Sequence, residues 1–514
     1  VKKLVVGRAA FVDDVTPDGL LHAAVVPSPH DHARVLTLDT ASARAATGVV
    51  AVVSHAEGAG EPALPDDRGR RALFTGVASY RGAPIALVAA EDPEIALRAA
   101  DLVRGAYEPL PVVSFAAVAV EGSPAAASLV LETGERGPAE KDADLVVEAR
   151  RSGERTHPGP AEPPVALTWL DEDGLLVVRS STASPLRLRR ILADMLGVSG
   201  GRIRIERPEV GGDFGAREGS FLEVACAVLT LRTGRPVRLA LRLDDPAGRW
   251  DRPAWRATAK GSLRHRELVA VDLALTQECG AAAHAADLEA ELRRAASVRD
   301  LYRFAAFRFS GRAVLTHAPP ASGAAPTGAT LALEGLMDAA ADALGEDRLA
   351  FRKRHLGGGA GLRPAFLALE RAAPQSSPPA PTRAADASAA WGTALCRLPL
   401  RPARAQASVA CNEDGSYTLS WSPCEFGTAV AVGLEELVAQ KLGVPPEQVA
   451  TSHGSAADAP AEAVADPWLT ARAVGLAADE MGRKQRRATR QKAGMVTRGE
   501  AMSDEAPVPL GAFF

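Results

Sequence analysis

Aromatic residues make up only 4% of this 514-residue chain, and alanine stands where bulkier side chains would normally fill a core. Ring stacking therefore cannot dominate its interior, and the composition predicts helix-rich but thinly packed regions. Cysteine is scarce as well. Cys226, Cys279, Cys396, Cys411 and Cys424 stand far apart with no CxxC pair, so neither a zinc site nor an iron-sulfur cluster has local support, and isolated buried thiols are expected. Charge of one sign is missing too: a net charge of -4 carries no footprint of a nucleic-acid binder. No apolar run approaches the ~18 residues a membrane span needs. The opening VKKLVVGRAAF has too short an apolar stretch for a secretory leader and no small-residue cleavage site, so a cytoplasmic location is expected. Walker A and GxGxxG sequences are absent, which removes specific support for nucleotide binding.

What is present is a mixed α+β pattern. Val25-Val26, Val49 to Val53 and Ile85 to Ala89 read as buried strands. Asp92-Pro93 supplies an N-cap and an N1 proline for a helix to about Arg104. Val165 to Trp169 and Leu175 to Val178 flank the turn Asp171-Glu172-Asp173-Gly174, a hairpin or meander. Pro185 opens a helix that Gly197 closes, and Ile203 to Arg207 alternates as a strand. The turn Gly211 to Glu218, GGDFGARE, then leads into an apolar helix from Phe221 to Leu231. Strand, glycine-rich turn and helix in that order can bring backbone N–H groups close to an anionic ligand. A bare glycine-rich corner is the alternative reading of the same residues. Further on, a helix from Leu331 to Leu344, a strand pair around Cys411 to Ser420, and helices from Val430 to Leu442 and from Leu469 to about Gln491 are expected.

Ten histidines raise the question of a metal, yet His157, His317 and His453 are widely separated, and no ligand set follows from spacing. His22, His30 and His32 are close together and read as structural. Arg483 to Arg498 holds seven basic residues and no acid; a solvated helix end is one reading, and a docking site for an acidic partner surface is the other.

Several phrases carry a family resemblance. GRAAFVDDV, GLLHAAVVPSPHDHARV and GAPIALVAAEDPEIALRAADLVRGAYEPLP resemble the small α/β hammerhead domain of the xanthine dehydrogenase/aldehyde oxidase family of molybdenum hydroxylases. The likeness continues through Glu162-Pro163, SSTASP, ERPEVGGDFGARE, TGRPVRLAL, LALEGLMDAAADALGEDRLAFRKRHL and KLGVPPEQVATSHG, in the family's order. It implies an N-terminal hammerhead domain (1–113), a connecting segment (114–155) and a first molybdopterin-binding-like α+β domain (156–356). A Pro/Ala/Ser-rich linker (357–390), a partial second such domain (391–492) and a tail (493–514) would follow, with the final portion of the family fold missing. It also implies molybdopterin, the molybdenum cofactor, as the only cofactor, with Gly211, Gly212, Asp213, Phe214, Gly215 and Gly427 lining its site, no protein ligand to the metal, and Asp245 facing the substrate. Iron-sulfur, flavin or catalytic paralogue subunits would be partners, with no nucleic acid and no membrane.

The departures bear on activity. Ser181-Thr182-Ala183 stands where the family commonly has Ser-Thr-Gln, and Glu425-Phe426-Gly427-Thr428-Ala429 where it has DIGQG. Between Pro320 and Glu334 no arginine or phenylalanine is found, and no residue can be assigned the family's glutamate base. Asp213 replaces a glycine; a carboxylate about 4 Å from an anionic group would repel it by ~4 kcal/mol at an effective dielectric of 20, unless it turns to solvent or caps the following helix. These losses predict a catalytically impaired structural or regulatory subunit of an oxidoreductase complex, with no catalytic residue of its own. The competing expectation is an active molybdenum-dependent dehydrogenase whose C-terminal domain and glutamate lie on a separate chain.

Overall fold

A computed structural model describes the chain apart from residues 1–5, 8, 55–73, 75, 119–124, 136, 138–140, 183, 218, 244, 249–250, 282–284, 322–324, 359–361, 373–393, 397–403, 423–429, 453–466, 488–494 and 503–514. Four sheets organise it. The largest has seven strands in the order Ile203–Glu206, Leu176–Ser180, Val165–Leu170, Val237–Ala240, Leu21–Pro27, Pro84–Ala90 and Val49–Ser54. Its seam is the parallel pairing of Leu21 with Val237 and of Ala23 with Leu239. The first hundred residues are thus not closed on themselves: three of their strands continue the sheet that leads to the glycine-rich turn. Local pattern cannot disclose a pairing between strands some two hundred residues apart.

Helices Pro185–Leu196 and Phe221–Thr233 cover one core of this sheet, formed by Leu188, Leu192, Val224, Leu229 and Leu239. Pro185 opens the first and the left-handed Gly197 closes it, while Gly234 closes the second, because glycine takes a positive φ without a Cβ clash. Asp92 caps the helix Pro93–Ala100 through the amides of Glu94 and Ile95. That helix is shorter than expected, since Arg104–Pro109 leaves it as a strand.

The second sheet has five strands: Ala127–Thr133, Ala306–Val314, Glu267–Glu278, Trp255–Arg264 and Leu145–Gly153. Residues 114–155, expected as a connection, therefore supply two of its strands. Their few aliphatics, Leu129, Leu131, Val147 and Ala149, face the core only because neighbours pair with them. Helix Ala325–Leu344 lies close against this sheet. A Cβ on Gly328 would stand 2.8 Å from Trp255, and one on Gly335 2.6 Å from the Arg151 guanidinium. Small residues here allow close approach of helix and sheet; over the chain as a whole helix and strand contribute about equally, in place of the helix-rich regions expected.

The third core joins the sheet Val449–Ser452, Tyr417–Ser422, Arg404–Cys411 and Val496–Met502 to helices Val430–Leu442 and Pro467–Arg487. Two further expectations change. Residues 362–372, placed in a linker, form the helix Leu362–Ala372, which buries Leu362 and Phe366. Residues 496–502, placed in a tail, form an edge strand whose buried Thr497 hydroxyl donates to the Ala477 carbonyl at 2.8 Å. Among the described residues no helix is long and apolar enough to cross a membrane.

Candidate functional site

The turn that follows strand Ile203–Glu206 is built from positive-φ residues: Gly212 at +99°, Phe214 at +50° and Gly215 at +90°. Glycine is needed at 211 for space, because a Cβ there would lie 2.5 Å from the Glu162 Cβ. At Gly215 nothing stands within 4 Å of that position, so conformation alone requires glycine. Phe214 stands 59% exposed at the tip, which is unusual for a large ring.

Beneath the turn a buried ion pair holds it down. The Arg217 guanidinium donates through Nη2 to the Glu162 carbonyl at 2.7 Å and to Glu162 Oε2 at 3.1 Å. Its Nε donates to the Gly212 carbonyl and its Nη1 to the Pro163 carbonyl, both at 3.3 Å. Glu162 Oε2 also accepts from the Gly211 amide at 2.9 Å. Burial pushes the Arg217 guanidinium below its usual range, and the negative charges of Glu162, Asp213 and Glu223 pull the other way. The second carboxylate oxygen of Glu162, Oε1, is buried and accepts from no donor.

Asp213 points into this turn. Its Oδ1 accepts from the Arg217 amide at 3.1 Å, while its carbonyl accepts from the Ala216 amide at 2.8 Å. The carboxylate therefore closes a local turn. It does not cap helix Phe221–Thr233, whose N-cap is Ser220. Among the described residues, the amides of Gly212, Asp213, Phe214 and Gly215 donate to no protein acceptor. Four successive donors on a glycine-rich turn are open to an electron-rich acceptor.

Behind the turn lies a polar cavity of about 40 Å³, lined by Ser180, Ser181, Thr182, Arg217 and Glu223 among others. It is large enough for a few waters and far too small for a drug-sized ligand. Ser180 donates to the buried Glu223, whose carboxyl is held above its ordinary range by burial. The Asp245 Oδ1 accepts at 2.9 Å from the amide of Ala247, which lines the same cavity, and its charge acts on the buried Tyr80 of the N-terminal domain. Gly427 and Ala183 lie outside the described residues. The structure thus brings Gly211 to Gly215 together and places Asp245 at a domain seam.

A second polar cluster was not expected. Arg155 reaches Asp251 at 3.3 Å and Glu278 at 3.0 Å, both buried, and Thr316 donates to Glu278 at 2.6 Å. It borders a cleft of about 250 Å³ walled by Trp255, Phe115 and Arg256. Arg217 and Glu223 were also missed. An acid inside the apolar FLEVACAVL was the available signal for Glu223. His32 and His317 stack with centroids 3.7 Å apart, a structural arrangement and not a ligand set. No group of three metal-ligating side chains occurs among the described residues.

Comparison with known proteins agrees with the fold. The model described as aldehyde oxidase and xanthine dehydrogenase, a/b hammerhead domain, matches residues 6–111. Models described as molybdopterin cofactor-binding domain match residues 121–356 and 380–505. The chain belongs to the xanthine dehydrogenase/aldehyde oxidase family. Within that family it is 32% identical over 253 residues to the nicotinate dehydrogenase large molybdopterin subunit of Eubacterium barkeri, covering 46% of this chain and 57% of that protein. It is 26% identical over 492 residues to the xanthine dehydrogenase molybdenum-binding subunit of Escherichia coli O157:H7, covering 87% of this chain and 65% of that one. The chain thus spans less than two thirds of either relative. The aldehyde oxidoreductase of Desulfovibrio gigas superposes with a TM-score of 0.82 at 22% identity, over 99% of this chain and 64% of that one, and shares its fold.

The molybdenum cofactor that the family implies can be tested against the turn. The four amides offer donors without acceptors, and Glu162 Oε1 is a buried acceptor without a donor. A group rich in oxygen and sulfur lone pairs would accept from those amides. The residues present fit it.

Proposed function

We propose that this chain holds a molybdenum–molybdopterin cofactor as one subunit of an oxidoreductase assembly, as a scaffold that supplies no proton-transfer group. The amides of Gly212 to Gly215 carry the first part of the reading: they are successive donors that find no acceptor among the described residues. When bound, such a cofactor supplies redox chemistry, and the protein contributes orientation and electrostatics.

The second part rests on how the ionisable groups around the turn are used. Arg217 and Glu162 neutralise each other, Asp213 closes the backbone, and Glu223 is enclosed with Ser180. A general base must reach a reacting atom with a free lone pair; Asp213 is committed to the turn, Glu223 is enclosed with Ser180, and the open lone pairs of Glu162 Oε1 are buried beside Arg217. The partners this implies are subunits that remove electrons, as iron-sulfur or flavin proteins do, or a catalytic relative. The relative from Eubacterium barkeri is itself named a subunit.

Turnover decides between scaffold and enzyme. The purified, cofactor-loaded chain, given aldehydes and nitrogen heterocycles with an artificial electron acceptor, is expected to reduce none of the acceptor. Steady substrate-dependent reduction by the chain alone would overturn the scaffold reading.

A further inference from the structure

We infer that Arg217 and Glu162 are positioning residues, a buried clasp that aims the Gly212 to Gly215 amides at the cofactor; this rests on the cofactor-binding reading above. One guanidinium ties together three backbone carbonyls from two separate segments, Gly212 on the turn and Glu162 and Pro163 on the approach to strand Val165–Leu170. Glu162 returns a hydrogen bond to the Gly211 amide and accepts one from Arg217 on the same oxygen. With the Glu162 amide donating to the Gly211 carbonyl at 3.1 Å, the turn is pinned at its start from both directions. Asp213 pins its end through the Arg217 amide.

The consequence is directional. Between those pins every donor of residues 212 to 215 is left over, and each residue with a positive φ lies in that interval. The side chain that fixes the carbonyl of Gly212 also fixes the plane of the peptide that carries the Asp213 amide, because carbonyl and amide share one rigid unit. Arginine suits the task because its planar fork spans several acceptors at once. A lysine ammonium would act from a single point. The pair also buries its charges against each other, so that the turn presents backbone dipoles to the ligand without a free cation beneath them.

The test uses the full chain from a host that makes molybdopterin, with R217K, R217M and the double variant E162Q/R217M. Pterin per chain is read by fluorescence after oxidative release, and the bound cofactor by visible absorption. We expect R217M to lose at least tenfold of its pterin, and R217K to retain more of it with a shifted visible band, as re-aimed donors require. Pterin in R217M within twofold of wild type, with an unchanged band, would overturn the clasp. Should R217M fail to fold because Glu162 is left alone, the double variant carries the same criteria, since it removes both buried charges. Should the wild type bind no pterin, the cofactor reading fails by itself, and hydrogen exchange decides the clasp. Gly211 and Ala216 amides exchanging at least tenfold faster in the double variant sustain it, and unchanged exchange sinks it.

Discussion

The Ser180 hydroxyl, at the end of strand Leu176–Ser180, donates to the carboxyl of Glu223 in the first turn of helix Phe221–Thr233. Both groups are buried, and the pair closes one wall of the small polar cavity behind the glycine-rich turn. A helix N-terminus favours a negative charge, but burial outweighs it and raises the Glu223 pKa above 4.5.

That shift has a sign that can be measured. A carboxyl whose folded pKa is raised contributes stability that is complete below its unfolded value of 4.5 and is lost as pH rises through the folded value. Glu223→Gln keeps an acceptor for Ser180 and removes the titration. Denaturant unfolding from pH ~4.5 to ~8 should therefore show E223Q gaining on the wild type as pH rises. A constant difference across that range contradicts the assignment.

Arg352 is fully buried and donates to Glu334 Oε2 at 2.8 Å and Asp338 Oδ1 at 2.7 Å, while Tyr302 donates to Glu334 Oε1 at 2.6 Å. Arg352→Met leaves Glu334 charged and enclosed, which costs about 3–5 kcal/mol when a buried pair is broken. Tyr302→Phe removes one hydrogen bond to a charged group, at about 1.5–3 kcal/mol. Chemical denaturation should rank the two in that order; an R352M loss below about 1 kcal/mol would show that the network is not what holds helix Arg348–His355 to helix Ala325–Leu344.

Glycine substitutions separate conformation from space. Gly197 has φ +65° with nothing within 4 Å of a Cβ, whereas Gly280 has φ +71° and its Cβ would lie 2.1 Å from the Pro319 carbonyl oxygen. G197A should cost about 1–2 kcal/mol for the left-handed conformation. G280A should cost more, because a backbone oxygen cannot swing away. Equal melting temperatures for the two variants would be inconsistent with the close approach of these loops.

The imidazoles of His32 and His317 stack at the junction of the N-terminal domain with the next, where the Val113 amide donates to His317 Nδ1 at 2.8 Å. Burial, and then the neighbouring His32, lower the His317 pKa below 6.5. Its contribution is present above 6.5 and is lost as pH falls through the folded value. The stability advantage of wild type over His317→Gln should therefore shrink on acidification below pH ~6.5, as followed by thermal unfolding at several pH values. An advantage independent of pH would rule out this titration.

Much of the local structure was legible in the sequence, because caps and periodicity act over a few residues. Pro185 and Gly197 bracket a helix just where they predict one, and the strand, turn and helix around Gly211 to Glu218 follow in order. What was not legible depends on partners distant in the chain. The seam of Leu21 with Val237, and the sheet positions of Ala127–Thr133 and Val496–Met502, are set by pairing rather than by any local signal. At the site, Asp213 showed that a carboxylate was present but not where it pointed. Its partner is an amide four residues on, and the residues that hold the turn, Arg217 and Glu162, meet only once the chain is folded.

If the Gly212 to Gly215 amides receive a molybdenum–pterin group, protein purified from a cofactor-producing host carries it, and pterin and molybdenum per chain can be counted directly. Matched, near-stoichiometric pterin and molybdenum are expected in the wild type, with a marked drop in a folded Gly215→Ala variant. Folded wild-type protein that carries neither, or a folded Gly215→Ala variant that carries as much as the wild type, would contradict it.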